Sequence, residues 1–279
     1  MLVFAKNKSV QQKISSFEKE ISVGFVPTMG ALHKGHLSLI EQAKKENNLV
    51  VVSIFVNPTQ FDKQEDLINY PKTIDADLKM LKSVGCDIVY MPSAEEVYEN
   101  NIKSQVFDFD GLEFQMEGKF RTGHFNGVGT IVKRLFEIVQ PTRAYFGEKD
   151  FQQLQIIRKM VEKNCLPIEI VGCPIYREED GLAMSSRNVR LTNKQRAVAP
   201  FIYKTLKAAK EMFGTKNVQE VIKWVETEFN KEPLLDLEYF EIASEETLQP
   251  IKEKINEQKY RAFIAVFAEK IRLIDNISL

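Results

Sequence analysis

Cysteine, histidine and tryptophan are scarce in this chain: three, three and one in 279 residues. Cys86, Cys165 and Cys173 are odd in number and show no CxxC spacing. That argues against a disulfide framework or a thiolate metal cluster, and leaves three structural buried thiols in a reduced, cytoplasmic protein as the expectation. Excess charge of one sign is also missing. With 38 basic and 39 acidic residues the formal net charge is −1, so neither a nucleic-acid nor a membrane partner is expected. No apolar run approaches the roughly 20 residues that span a bilayer. The opening "MLVFAKNKSVQQKISSFEKE" carries too much charge for the apolar segment of a signal peptide. There is no internal repeat and no low-complexity tract. What is present is a chain 44% hydrophobic and 28% charged, long enough for a large core in one or two domains.

Short apolar runs alternate with helical patterns through about the first 175 residues. "MLVF", "ISVGFVP", "LVVVSIFV", "CDIVYMP", "RAYFGEKD" and "PIEIVGCPI" read as strands. The uniformly apolar "LVVVSIFV" suits a strand covered on both faces. Between them "SVQQKISSFEKE", a segment from the histidines to about Glu46, "TIDADLKMLKSVG", "GVGTIVKRLFEIVQP" and "FQQLQIIRKMVEKN" read as helices. In the third of these, Ile74, Leu78 and Leu81 form one stripe and Thr73 is a candidate cap. The alternation predicts an α/β fold: a Rossmann-like parallel sheet with helices on both faces. From about residue 177 the pattern changes. Helical segments near 193–212 and 217–229 are followed by the strand-like "LDLEYFEIA", "YRAFIAVFAEK" and "IRLIDNI". A catalytic domain over 1–176 and a smaller α+β domain over 177–279 are expected.

Two of the three histidines, His33 and His36, lie together in "VPTMGALHKGH", at the carboxyl end of a strand. Ligands of doubly wound sheets sit at such ends, and the helix that follows offers free N–H groups and partial positive charge to phosphate. Gly30 and Gly35 permit close approach of backbone to ligand. A three-residue spacing at a helix start puts both imidazoles on one face, aimed at one phosphate group. The pair also admits a plain reading as solvated or capping residues. Zinc needs at least a third ligand, and His124 is the only other histidine, so no metal site is expected.

His33-Lys34-Gly35-His36 resembles the nucleotide-binding signature of the HIGH-motif nucleotidyltransferases, and "MSSR" at 184–187 stands where their second, KMSKS-like loop belongs. "PTMGALHKGH", "VSIFVNPTQF", "YPKT", "RTGHFNGV", "FGEKDFQQ" and "REEDGLAMSSRN" together, over residues 27 to 188, resemble the pantothenate synthetase (pantoate–β-alanine ligase) family. That resemblance implies a Rossmann-type domain plus a C-terminal domain that closes over the site. It implies ATP-dependent condensation of pantoate with β-alanine through pantoyl adenylate, giving pantothenate, AMP and pyrophosphate, with Mg²⁺ accompanying ATP and a homodimeric assembly. Neither chemical step needs a protein nucleophile; positioning and charge stabilisation suffice.

By the same resemblance, His33 and His36 contact the triphosphate, His36 as proton donor, and the backbone of Met29 and Gly30 contacts the nucleotide. Gly147–Asp150 binds ATP with Lys149 on the phosphates. Lys149 is a mobile point charge suited to that task, although lysines in such turns are commonly just solvated. Asp150 also reads as a helix cap. Met184, Ser185, Ser186 and Arg187 face the β- and γ-phosphates, and a backbone contact to adenine falls on Tyr176. Gln60 and Gln153 bind pantoate, Gln60 near the β-alanine site, with Asn57 in support. An amide reads hydroxyl and carboxylate together, whereas "NPTQ" on pattern alone reads as a plain turn. Tyr176 and Thr122 depart from the family's usual residues, and Arg121 and His124 fall near the pantoate pocket without an assigned role. The alternatives are a HIGH-type adenylyltransferase for another small acid, a tRNA synthetase and a nucleotide-binding regulator. The short C-terminal part disfavours a synthetase, and the pantoate-type Gln60 and Gln153 disfavour a regulator.

Overall fold

In the computed structural model, residues 1–17, 20–61, 67–68, 70–99 and 101–279 are described. The chain divides into two compact units, one of residues 1–148 with 152–174, the other of residues 149–151 with 175–279.

The first unit is built on six strands: β1 (Leu2–Phe4), β2 (Val23–Thr28), β3 (Leu49–Ile54), β4 (Ile88–Tyr90), β5 (Arg143–Gly147) and β6 (Glu169–Cys173). All pairings are parallel, in the order β1-β4-β3-β2-β5-β6. Strands β3 and β4 are added on one side of β2, then β5 and β6 on the other, so the order reverses at β2 and β5. Ligand crevices of open parallel sheets lie at such a reversal. Helices α1 (Asn7–Ser15), α2 (Lys34–Glu46), α3 (Ile74–Ser83), α4 (Ala94–Tyr98), α5 (Met116–Phe120), α6 (His124–Val139) and α7 (Phe151–Lys163) accompany the sheet. Leu39, Ile40 and Ala43 of α2 and Leu81 of α3 pack in one cluster with Val26, Val50 and Val52. On the opposite face Phe136 of α6 meets the rings of Phe25 and Phe146 edge-on. Cover on both sides explains why every residue of β3 is buried.

Four readings of this unit's sequence need correction. Helix α1 ends at Ser15, short of the patterned segment, whose residues 18 and 19 lie outside those described. Ile74 is 45% exposed; Leu78 and Leu81 of the expected stripe do pack on the core, and the buried inner face of α3 also carries Asp77. Thr73 makes no capping bond; its hydroxyl donates to Asp77 Oδ1 at 3.0 Å. Cys86 and Cys173 are buried, but Cys165 is exposed, in a turn after α7 where its φ is +48°.

The second unit carries an antiparallel sheet of β7 (Asp236–Ser244), β8 (Tyr260–Ala268) and β9 (Ile271–Ser278), with β8 central. Helices α8 (Asn193–Val198), α9 (Phe201–Phe213) and α10 (Val218–Phe229) precede it. The single helix expected near 193–212 is two, separated at Ala199-Pro200, since proline offers no N–H to an ongoing helix. Thr192 with Gln195 and Asn217 with Glu220 form reciprocal capping boxes that start α8 and α10. Leu206, Val221, Val225, Ile242, Ile264 and Val266 form the core between helices and sheet.

Candidate active site

The segment after β2 is shaped by one buried carboxylate. Asp77, 1% exposed, accepts the backbone N–H of Ala31 at 3.0 Å through Oδ2, and that of Leu32 at 2.8 Å through Oδ1. Gly30 turns with φ +82°, and a Cβ there would lie 3.1 Å from both Asp77 Oδ2 and Ile54 Cγ2. Ala31 also has a positive φ, of 49°, and the two N–H bonds to Asp77 offset that strain. The turn delivers His33 to the N-cap of α2, at the carboxyl end of β2. His36 Nδ1 accepts the His33 backbone N–H at 3.3 Å, part of a capping box, and the two rings lie 4.0 Å apart, tilted by 36°. With Nδ1 accepting, a neutral His36 carries its proton on Nε2, where it can be donated to an anion. The expected common face is therefore formed, at a helix terminus that itself favours anions.

A second group follows β3. Asn57 is buried and fully used: Oδ1 accepts from Tyr98 Oη at 2.6 Å, and Nδ2 donates to Gln60 Oε1 and to the Gly127 carbonyl, each at 3.2 Å. A side chain at position 127 is not tolerated, because its Cβ would stand 2.3 Å from the Thr59 carbonyl oxygen. Gly127 thus lets α6 press on the turn Pro58–Gln60. The Gln60 carbonyl accepts from His124 Nδ1 at 2.9 Å and Arg121 Nη2 at 3.3 Å, a structural task for two residues the sequence left unassigned. Gln60 Nε2 points at Met29 Sδ, 2.9 Å away. A thioether is a weak acceptor, so that N–H is easily given up to a better one. Adjacent glutamines of α7 part company. Gln152 is buried, donating to the carbonyls of Leu112 and Gln115 and accepting from the N–H of Glu117, whereas Gln153 is half-buried. Gly147 closes β5 with open space where a Cβ would stand, leaving its backbone approachable. Asp77 and Tyr98 were not foreseen from the sequence.

In the second unit, Lys149 and Ser185, Arg187 and Asn188, far apart in sequence, line one small surface pocket together with Arg272 and Asp275. Met184 and Ser186 are half-buried beside it in sequence, and Asp150 is exposed. Ser185 Oγ accepts the Arg187 N–H at 3.2 Å and keeps its own hydroxyl hydrogen for donation. Asn188, buried, ties the turn to Glu178 and to the Ala183 carbonyl. The Tyr176 carbonyl accepts the Met184 N–H at 3.0 Å, and the Tyr176 ring is exposed. Arg177 forms a two-pronged pair with Asp275 at 2.6 and 3.0 Å and stacks 3.6 Å over the Tyr203 ring. Burial pushes the Asp275 carboxyl above its usual range, against the pull of Arg177. Burial likewise pushes the Cys86 thiol up to about 12 and Cys173 to about 11, which disarms both as nucleophiles. Among the described residues no three His, Cys, Asp or Glu side chains group as a metal site, and no helix is long and apolar enough to cross a membrane.

The model of the pantoate-β-alanine ligase family matches residues 2–278. The pantothenate synthetase of Flavobacterium psychrophilum is 56% identical over 281 residues, covering all of both chains, and that of Christiangramia forsetii is 54% identical over 100% of this chain and 99% of its own. Among solved structures, the pantothenate synthetase of Thermus thermophilus superposes with a TM-score of 0.91 at 42% identity, over 99% of each chain. The pantoate-β-alanine ligase of Francisella tularensis, crystallised with beta-gamma ATP and beta-alanine, gives 0.80 at 35% identity, over 100% of this chain and 97% of its own. These likenesses favour that family over an adenylyltransferase for a different acid.

Proposed function

The chain belongs to the pantoate–β-alanine ligase family and is an ATP-dependent ligase that joins pantoate to β-alanine to give pantothenate; from that premise we propose that it works through pantoyl adenylate, with the residues above sharing the steps. A pantoate carboxylate oxygen attacks the α-phosphorus of ATP, the bond to the β-phosphate breaks, and pyrophosphate leaves. The β-alanine amine then attacks the acyl carbon and AMP leaves with the bonding pair. His36 donates from Nε2 to the oxygen on which charge develops, and His33 lies beside it on the phosphates. Lys149, Ser185 and Arg187 hold the phosphates, with Met184 and Ser186 flanking them. Met29, Gly30 and Gly147 offer backbone to the nucleotide, and Tyr176 offers backbone to adenine.

Gln60 and Gln153 read pantoate. Asn57, already saturated, supports Gln60 and does not touch substrate. The single observation that carries this reading is the character of the groups in the two sets: hydrogen-bond donors and cations, with both buried cysteines disarmed. Such a set suits charge stabilisation of an adenylate and not covalent catalysis.

ATP is taken as its magnesium complex. The residues fit a metal that arrives on the phosphates, with Asp150 as an indirect partner, since magnesium keeps much of its water and needs few protein groups. Bound magnesium neutralises phosphate charge. The family resemblance further supports a homodimer, and the reduced cysteines support a cytoplasmic setting. ATP–pyrophosphate exchange tests the two-step reading: it is expected with pantoate alone, and exchange that requires β-alanine overturns it.

A further inference from the structure

Lys149 precedes α7 in sequence, but the bonds that fix its backbone come from elsewhere. Asn276 of β9, 1% exposed, donates through Nδ2 to the Lys149 carbonyl at 2.9 Å. Its Oδ1 accepts from Arg261 Nη1 at 2.7 Å. A guanidinium only donates, so Arg261 compels the amide oxygen toward itself and the amide nitrogen toward Lys149. Arg261, 7% exposed, is held in turn by Glu245 at 2.8 Å and lies 3.9 Å over the ring of Phe151, two residues beyond Lys149. Phe263 of β8 packs on the same ring, 6.0 Å between centroids.

The neighbouring residue of β9 does parallel work. Asp275, beside Asn276 and bonded to its backbone N–H at 2.8 Å, grips Arg177. Arg177 follows Tyr176 and bridges Ala183, the residue before "MSSR". A lysine side chain is long and mobile, so its reach to a phosphate is set by where its Cα is held.

We infer that Asp275-Asn276 is the common anchor of the two nucleotide segments, and that Asn276 and Arg261 are positioning residues through which strands β8 and β9 place Lys149 on the ATP phosphates. This rests on reading Lys149 as a phosphate partner. The test is a double-mutant cycle in the pyrophosphate-exchange assay, on the full-length enzyme. Asn276→Asp keeps shape and the acceptor for Arg261 but removes the donor to Lys149. It is expected to raise KM for ATP by about tenfold, the scale of one buried carbonyl losing its partner, with KM for pantoate within about twofold. In a Lys149→Ala background the same substitution is expected to add less than about twofold, because coupled residues are not additive.

Full additivity, or equal loss for ATP and pantoate, shows a merely structural role and overturns the inference. A damaging Lys149→Ala with a silent Asn276→Asp overturns it while leaving the Lys149 reading intact. A silent Lys149→Ala removes both. Should Asn276→Asp fail to fold, Arg261→Lys, which keeps the charge toward Glu245 and loses the Nη1 bond to Asn276, is read by the same criteria.

Discussion

The two sets of candidate residues are held in place by different chemistry. Around His33, His36 and Gln60 the supports are mostly neutral: amides, hydroxyls, a thioether and backbone groups, with the single carboxylate of Asp77 answered by N–H and O–H donors and one cation, Arg121, on the Gln60 carbonyl. Around Lys149 and the turn at Ser185–Arg187 the supports are buried ions, Arg177 on Asp275 and Arg261 on Glu245, each guanidinium also stacked on a ring. Neutral networks lose little when one bond goes. A buried ion pair gains little net stability while whole, but leaves a stranded charge when broken. The set around His33, His36 and Gln60 is therefore expected to fail locally and by function, the set around Lys149 and Ser185–Arg187 through stability first.

The sharpest way to break that contrast is Arg177→Ala, which strands Asp275. A loss of about 3–5 kcal/mol of folding stability is expected, measured by denaturant unfolding at pH 7. The sign with pH follows from burial. The Asp275 carboxyl is already raised, so it binds a proton more readily folded than unfolded, and stability falls as pH rises through the folded pKa. Without Arg177 that effect grows, and part of the loss is expected to return at pH 5. A variant as stable as the parent at pH 7 shows that the ion pair is not what holds this region.

Next in size is His36→Ala, in the neutral region. Loss of one oriented donor to developing charge is expected to slow adenylation by roughly 10²–10³, with only a small change in melting temperature. Single-turnover adenylation at the parental rate shows the pair to be capping residues and nothing more.

How much of this was legible in the sequence depended on distance along the chain. The sheet was readable because each strand signals itself locally, "LVVVSIFV" by uniform burial and "ISVGFVP" by the turn that follows. His33 and His36 were readable because three residues suffice to bring them together. Asp77 was not: among Asp75, Asp77 and the apolar stripe, only the N–H groups of Ala31 and Leu32, over forty residues earlier, single out the carboxylate that turns inward. Asn276 was invisible for the same reason, since the carbonyl it holds is 127 residues away. Asn57 was noticed as a support for Gln60, but the bonds to Tyr98 and Gly127 that hold it there exist only in the fold. Anchors are long-range by nature, whereas contacting groups cluster in motifs.

The smallest effect, and the finest test of the contrast, is Gln60→Ala. The Gln60 backbone is clamped by His124 and Arg121 through its carbonyl, and these bonds survive truncation of the side chain, so the turn is expected to hold its shape. What disappears is one amide whose oxygen accepts from Asn57 and whose N–H is proposed to give up the Met29 sulfur when substrate arrives. Its oxygen and nitrogen can answer a hydroxyl and a carboxylate at once, and alanine answers neither. Polar groups left unpaired in a closed pocket cost about 1–3 kcal/mol each, so kcat/KM for pantoate is expected to fall tenfold or more. ATP affinity is expected to stay within a few-fold, because the phosphate partners proposed above are other residues. Separate titrations of ATP and pantoate decide the matter. Equal loss for both ligands means that Gln60 acts on more than pantoate, and its proposed role as the pantoate reader falls.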